Sequence, residues 1–165
     1  MRNLFLFLIF VAVLASCVNE ENKTFGSVME LEAKLMQVQD TASDVELAKE
    51  VLEAYREFLK TYPDTEKMPE ILFKSGEILK GLGAYLQSAQ SFYRVHTKFP
   101  SSKLAPLALF QQADCFEAVD QRLTAKNTYE EFMERYPNHP YIEQAKGMIR
   151  LLHFSDEELI HQFQK

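Results

Sequence analysis

Apolar residues recur through most of this chain at intervals of three and four positions, which is the spacing of one face of an α-helix. Such a face can be followed from Ser27 to Val38 and again from Val45 to Thr61, with turn-forming residues between the two segments. The same spacing predicts helices over residues 70–80, 85–98, 106–116, 124–135 and 141–152. No stretch alternates with a period of two, so the sequence predicts an all-α fold.

The helical pattern itself repeats every 37 residues. An aromatic residue followed by proline closes three segments, at Tyr62-Pro63, Phe99-Pro100 and Tyr136-Pro137. Proline cannot continue a helix and disfavours helical geometry in the residue before it, so each pair marks a helix end. Large apolar residues fall into the same register, namely Tyr55, Phe92 and Tyr129, then Phe58, Val95 and Phe132. Periods of roughly 20–50 residues are typical of repeat arrays.

These positions resemble the tetratricopeptide repeat, whose consensus places large, small, glycine, aromatic and proline residues at fixed offsets. The matching positions of the 69–100 unit are Leu72, Gly76, Leu79, Gly83, Tyr85, Ser88, Phe92 and Pro100. The next unit keeps Leu109, Ala113, Phe116, Ala125, Tyr129 and Pro137, but it has Asp120 and Arg122 where glycine and tyrosine are expected. The unit before keeps Val51, Tyr55 and Pro63, and its opening helix fits poorly.

The resemblance covers Glu46–Leu152 and implies a right-handed superhelix of stacked helical hairpins. About three repeats are expected, because neighbouring hairpins must stack to bury their apolar faces. A C-terminal capping helix or helices would complete the array. A capping box at Ser155-Asp156-Glu157-Glu158 predicts a short helix that ends near Phe163.

The first 17 residues have a different character and are set apart from the fold. An unbroken apolar run of 12 residues, Leu4 to Ala15, follows Arg2, and it is shorter than the roughly 20 residues of a membrane-spanning helix. Leu14-Ala15-Ser16-Cys17 resembles the bacterial lipobox, which implies cleavage before Cys17 and a diacylglycerol on its thiol. An ordinary signal peptide is the alternative. The predicted domains are a signal peptide (1–16), a lipidated cysteine with a flexible tether (17–26) and a repeat domain (27–165).

Composition and motifs argue against several function classes. The net charge of −6 disfavours nucleic acid, whose phosphates require a basic patch. The histidines at positions 96, 139, 153 and 161 lack metal-binding spacing, and no nucleophile or phosphate-binding motif occurs. We therefore expect a non-enzymatic protein with no metal and no cofactor other than the covalent lipid on Cys17. Cys115 lies in an apolar helical pattern and is expected to be a buried core residue, with no redox role.

The repeat resemblance also implies where a partner would bind. In tetratricopeptide proteins the first helices of the hairpins line a concave face that holds an extended peptide or a partner helix. By the family's offsets that face consists of Glu70, Phe73, Glu77, Lys80, Leu107, Phe110, Asp114 and Glu117. Two aromatic anchors inside a charged rim would suit a partner with basic and apolar residues. The alternative is that Phe73 and Phe110 complete the hydrophobic core.

The 37-residue period is similar to that of two envelope families. One is BamD, the lipoprotein of the outer-membrane β-barrel assembly machinery, which the lipobox favours. The other is YbgF/CpoB, a periplasmic associate of Tol–Pal, which the number of repeats favours. The resemblance implies a lipid-anchored adaptor of the bacterial outer membrane that faces the periplasm. It would act in outer-membrane protein assembly and bind an envelope protein or peptide segment, such as an outer-membrane β-barrel. A Tol–Pal or cell-wall coordination factor and a small-ligand carrier are the alternatives.

Overall fold

The computed structural model describes the backbone of residues 2–37 and 41–152, and the side chains of residues 19–37 and 44–152. Within these ranges there are seven α-helices and no strand, which confirms the all-α prediction. The helices are α1 Arg2–Leu35, α2 Thr41–Thr61, α3 Met68–Gly81, α4 Tyr85–Lys98, α5 Ala105–Ala118, α6 Arg122–Arg135 and α7 Ile142–Leu152. The short helix predicted after Ser155 lies outside the described residues.

The helix boundaries repeat with the period seen in the sequence. Helices α3, α5 and α7 begin at Met68, Ala105 and Ile142, at intervals of 37 residues. Helices α4 and α6 begin 37 residues apart as well, at Tyr85 and Arg122. Both α3 and α5 have proline in the first turn, where the missing N–H leaves no hydrogen bond unmade. The chain therefore forms a helical repeat array with the predicted period.

The turn inside each hairpin has the same backbone conformation in both complete repeats. Gly83 has a φ of 74°, and Asp120, which stands 37 residues later, has a φ of 58°. This left-handed region is open to glycine, and aspartate is one of the few other residues that enter it readily. Asp120 therefore takes the place of the glycine that the repeat consensus expects, and the turn keeps its conformation.

The chain divides into two compact units between Glu66 and Lys67. In the second unit α4 packs against α3 and α5, α6 packs against α5, and α7 packs against α6. The rings of Phe92, Tyr129 and Phe132 are fully buried, as the repeated register predicts.

The exposure of Leu86 differs from what the sequence predicts. The helical pattern places Leu86 on the apolar face of α4, yet it is 54% exposed. It lies in the first turn of α4, and its repeat equivalent Leu123 is exposed too.

Helix α7 closes the described part of the array. Its Ile142, Ala145 and Ile149 belong to the cluster that packs around Leu109 and Phe132. The opposite face is exposed and charged, and it carries Glu143, Lys146 and Arg150. A polar outer face is what the terminal element of a repeat array needs, because no further repeat covers it.

The first unit is a hairpin of α1 and α2. The Phe25 ring of α1 lies 5.5 Å from that of Phe58, which in turn lies 4.9 Å from Tyr62. Thr65 Oγ1 donates a hydrogen bond to Glu21 Oε1 at 2.6 Å. These contacts join the middle of α1 to the end of α2 and the loop that follows. No helix in the described part of the chain is long and apolar enough to cross a membrane.

Residues 18–26 therefore differ from the predicted flexible tether, since they are helical and lie within α1. Thr24 Oγ1 donates to the backbone carbonyl of Glu20 at 2.9 Å, as a residue inside a helix can. The segment is ordered by tertiary contacts. Phe25 and Glu21 find partners on the other helix of the hairpin and in the loop after it, and the polar composition of the segment does not reveal those partners.

A close approach between α3 and α4 depends on Gly76. A Cβ atom added to Gly76 would lie 2.7 Å from the Phe92 ring, which is fully buried, so the ring would have to shift within a packed core. The backbone carbonyl of Gly76 also accepts a hydrogen bond from Ser88 Oγ at 2.7 Å. The hairpin therefore closes only with glycine or a displaced ring at this position.

We expect Gly76→Ala to lower the free energy of unfolding by about 1–3 kcal/mol, because overpacking displaces the Phe92 ring. Gly147→Ala in α7 is the matched control, since an added Cβ there has no neighbour within 4 Å. It should raise stability by up to about 1 kcal/mol through helix propensity. Urea unfolding of both variants measures the difference, and equal effects would contradict the steric argument.

A buried histidine joins three helices of the second unit. His96 of α4 is 2% exposed, and its Nε2 lies 2.7 Å from Gln112 Oε1 on α5. Its Nδ1 lies 3.2 Å from a guanidinium nitrogen of Arg135 on α6. An amide oxygen only accepts and a guanidinium only donates, so these contacts fit a neutral ring protonated on Nε2. Burial lowers the pKa of His96, and Arg135 lowers it further, against the opposing effects of Gln112 and Glu131.

We expect acid to weaken this junction. The folded-state pKa of His96 is lowered, so its contribution to stability is complete above the unfolded value near 6.5 and is lost as the pH falls toward the folded value. The free energy of unfolding should therefore fall more for the wild type than for His96→Gln between pH 7 and pH 5. The free energy lost is about 1.4 kcal/mol for each unit by which the folded-state pKa lies below the unfolded value. Parallel pH profiles in urea unfolding would contradict this expectation.

Candidate protein-binding surface

The first helices of the two complete repeats, α3 and α5, are tied together by a lysine. Lys80 in the last turn of α3 forms an ion pair with Asp114 of α5. Its Nζ also donates to Gln111 Oε1 at 2.8 Å. Two predicted surface residues, Lys80 and Asp114, thus lie together. Their charges neutralise each other, so they hold the surface in place and contribute little net charge to it.

The predicted surface must be corrected at Phe73 and Phe110, because both side chains are buried. They are only 6% and 5% exposed. Phe73 packs edge-on against Phe92 at 5.2 Å, and Phe110 does so against Tyr129 at 5.3 Å. Each ring lies where the first helix of a hairpin meets the second, so it completes the core. The structure supports the alternative for these two rings, and they do not serve as exposed aromatic anchors.

The other predicted residues form a charged surface on α3 and α5. Glu70 and Glu77 are exposed, and Leu107 and Glu117 are half-buried. Glu70 forms an ion pair with Lys74 at 3.7 Å on the same helix. The carboxylates of this surface outnumber its lysines, so it suits a partner of opposite charge.

An open depression of about 380 Å³ lies beside the tie between α3 and α5. Its lining residues are Glu77, Lys80, Gly81, Tyr85 and Gln111. Gln111 and Tyr85 were not among the predicted surface residues. Helical spacing could have found Gln111, because it follows Leu107 by four residues and precedes Asp114 by three. An open depression with a charged lining suits an extended segment of protein better than an enclosed small molecule.

The carboxyl group of Glu117, at the edge of this surface, is hydrogen-bonded and has a raised pKa. Tyr129 Oη donates a hydrogen bond to Glu117 Oε2 at 3.1 Å. Burial raises the pKa of Glu117, and Asp114 raises it further, whereas the bond from Tyr129 lowers it. Burial and the nearby carboxylate also raise the pKa of Tyr129 strongly, so its hydroxyl stays protonated and remains a donor.

The described side chains offer little for chemistry. Among them there is no group of three or more histidine, cysteine, aspartate or glutamate residues that could hold a metal ion. Cys115 is fully buried, and its Sγ lies 3.2 Å from Ser88 Oγ. Burial raises the pKa of the Cys115 thiol, which disfavours the reactive thiolate. The prediction that Cys115 is a core residue is confirmed.

Comparison with known proteins matches residues 107–139 to the tetratricopeptide repeat family. The matched segment holds most of α5, the turn at Asp120 and all of α6. Together with the all-helical fold, this match supports a tetratricopeptide-repeat-type protein. No curated protein matches the chain. Tetratricopeptide repeats are typically non-catalytic modules that bind protein or peptide partners, so the repeats indicate a role in protein interaction.

We expect Glu117→Gln to stabilise the protein at pH 7. A carboxyl with a raised folded-state pKa contributes most to stability below its unfolded pKa, and the contribution is lost as the pH rises through the folded value. Glutamine keeps an acceptor for Tyr129 and removes the buried charge. The stability difference from the wild type, measured by urea unfolding, should therefore shrink from pH 7 to pH 4.

Glu130→Gln is the matched control, because Glu130 is an exposed glutamate on α6. A gain of the same size in this variant would show that the loss of any negative charge stabilises the protein. That result would contradict the role of burial at Glu117.

Proposed function

We propose that this protein is a lipid-anchored, non-enzymatic adaptor in a bacterial envelope complex, and that it acts in outer-membrane protein assembly as BamD does. One observation carries the binding role. The side chain of Lys80 in the last turn of α3 bonds to Gln111 and Asp114 of α5, and Glu70 and Glu77 of α3 are exposed. This arrangement offers an extended partner one continuous surface over two repeats.

The proposed partner is an envelope protein or peptide segment that carries lysine or arginine. The carboxylates of Glu70, Glu77, Asp114 and Glu117 outnumber the two lysines of the same helices, Lys74 and Lys80. Because Phe73 and Phe110 belong to the core, apolar contacts would come from the half-buried Leu107 and Tyr85. Charge complementarity would then supply selectivity and register at this surface.

The proposed anchor is a covalent lipid on Cys17. It is supported by the apolar run that precedes it and by the lipobox resemblance of Leu14-Ala15-Ser16-Cys17. Several acyl chains on one residue hold a protein on a bilayer far more firmly than a single chain. The proposed location is the outer membrane, with the repeats facing the periplasm.

A pull-down from the protein's own membranes in mild detergent tests this proposal. The lipidated wild type is compared with Glu70→Lys/Glu77→Lys, which reverses two exposed charges on α3. The matched control is Glu130→Lys/Glu134→Lys on α6, where both residues are also exposed. Both double variants break a Lys–Glu pair of residues four apart, at 3.7 Å for Glu70 and 3.6 Å for Glu130.

We expect the wild type and the α6 control to recover an outer-membrane β-barrel partner, and the α3 variant to lose it. Recovery of Tol–Pal or cell-wall synthesis components would instead favour the YbgF/CpoB-like alternative. If all three proteins recover the same partners, the α3 surface is not the binding surface. A Cys17→Ala variant that stays in the membrane fraction would contradict the proposed anchor.

A further inference from the structure

The contacts of the first unit determine where the folded part of the chain begins relative to Cys17. The carboxylate of Glu21 accepts a hydrogen bond from Thr65 at 2.6 Å. One turn later, Thr24 Oγ1 lies 3.4 Å from Tyr62 Oη, and Phe25 packs against its aromatic partner on α2. Among the side chains that the structure describes, contacts across the hairpin are therefore present from the fourth residue after Cys17.

Because only four residues separate them, Cys17 and Glu21 lie close together in any backbone conformation. They span about 6 Å as a helix, which is their conformation in α1, and at most about 14 Å when fully extended. A flexible tether that reached Gly26 would instead allow about 30 Å when extended. The hydrogen bond at Glu21 and the ring contact at Phe25 remove this freedom.

The other end of the same hairpin lies much farther from Cys17. Met36 follows α1 and stands 15 residues after Glu21, which is about 22 Å along the helix axis. It is 74% exposed. Asp64 is also exposed, and it neighbours Thr65, which bonds to Glu21 at the near end. Asp64 and Met36 therefore mark the two ends of the hairpin.

The near end of this hairpin is formed by Glu21, Thr24, Tyr62 and Thr65. We infer that a lipid on Cys17 holds this end beside the bilayer, with Glu21 less than about 15 Å from the headgroup layer. The inference rests on the lipidation that the proposed function includes. Exposed acidic residues at this end, among them Glu20, Asp64 and Glu66, oppose adhesion to anionic headgroups. The covalent anchor and the short connection therefore determine the separation, and the near end faces the bilayer.

Fluorescence quenching on vesicles tests this orientation. The full chain, processed by a host that lipidates it, is placed in vesicles of phosphatidylethanolamine and phosphatidylglycerol with a nitroxide on some headgroups. Asp64→Cys or Met36→Cys carries the fluorophore. Cys115 is fully buried and the lipid would occupy the thiol of Cys17, so the introduced cysteine is labelled selectively. A third protein carries Asp64→Cys with ten glycine and serine residues inserted between Val18 and Asn19.

We expect headgroup quenching to be several-fold stronger at position 64 than at position 36, and the insertion to abolish this difference. Equal quenching at the two positions in a protein that floats with the vesicles would overturn the inference and leave lipidation intact. Quenching at position 64 that the insertion does not change would also overturn it. An intact mass without diacylglycerol, together with no flotation, would overturn the proposed anchor and the inference with it.

Discussion

Helix α5 packs against α4 on one side and α6 on the other, and the second unit depends on this double contact. A single helical hairpin cannot bury its own apolar face, so stability comes from contacts between neighbours. On one side Phe110 contacts Tyr129 and Phe132. On the other side Gln112 reaches His96. Aromatic rings bury the largest areas of any side chains, and here they occupy the positions that recur with the repeat.

The two complete repeats solve the same packing problem with different residues. In the first, Gly76 leaves room for the Phe92 ring, and the hydroxyl of Ser88 donates a hydrogen bond to the backbone carbonyl of Gly76. In the second, Ala113 and Ala125 stand at the positions equivalent to Gly76 and Ser88, and Ala113 belongs to the same core cluster as Tyr129. The hydroxyl of Tyr129 donates a hydrogen bond to Glu117, at the edge of the candidate surface. Core packing and surface charge are therefore linked in the second repeat.

The location of the aromatic rings determines what kind of binding surface remains. Because Phe73 and Phe110 are buried, α3 and α5 present mainly carboxylates, lysines and an amide. Under the proposed function, binding would rely on charge, and salt would weaken it because ions screen exposed charges over about 10 Å at 0.1 M. The pair between Lys80 and Asp114 would hold the two helices in register while the partner binds.

The repeat period, the all-α fold and most helix ends can be predicted from the amino-acid sequence alone. These features depend on local signals, such as proline after an aromatic residue and apolar spacing within one helix. Three features depend on contacts between helices: the burial of Phe73 and Phe110, the exposure of Leu86 and the helical conformation of residues 18–26. A sequence pattern shows which face of a helix is apolar, but burial depends on which neighbouring helix covers that face. That contact joins residues far apart in the chain.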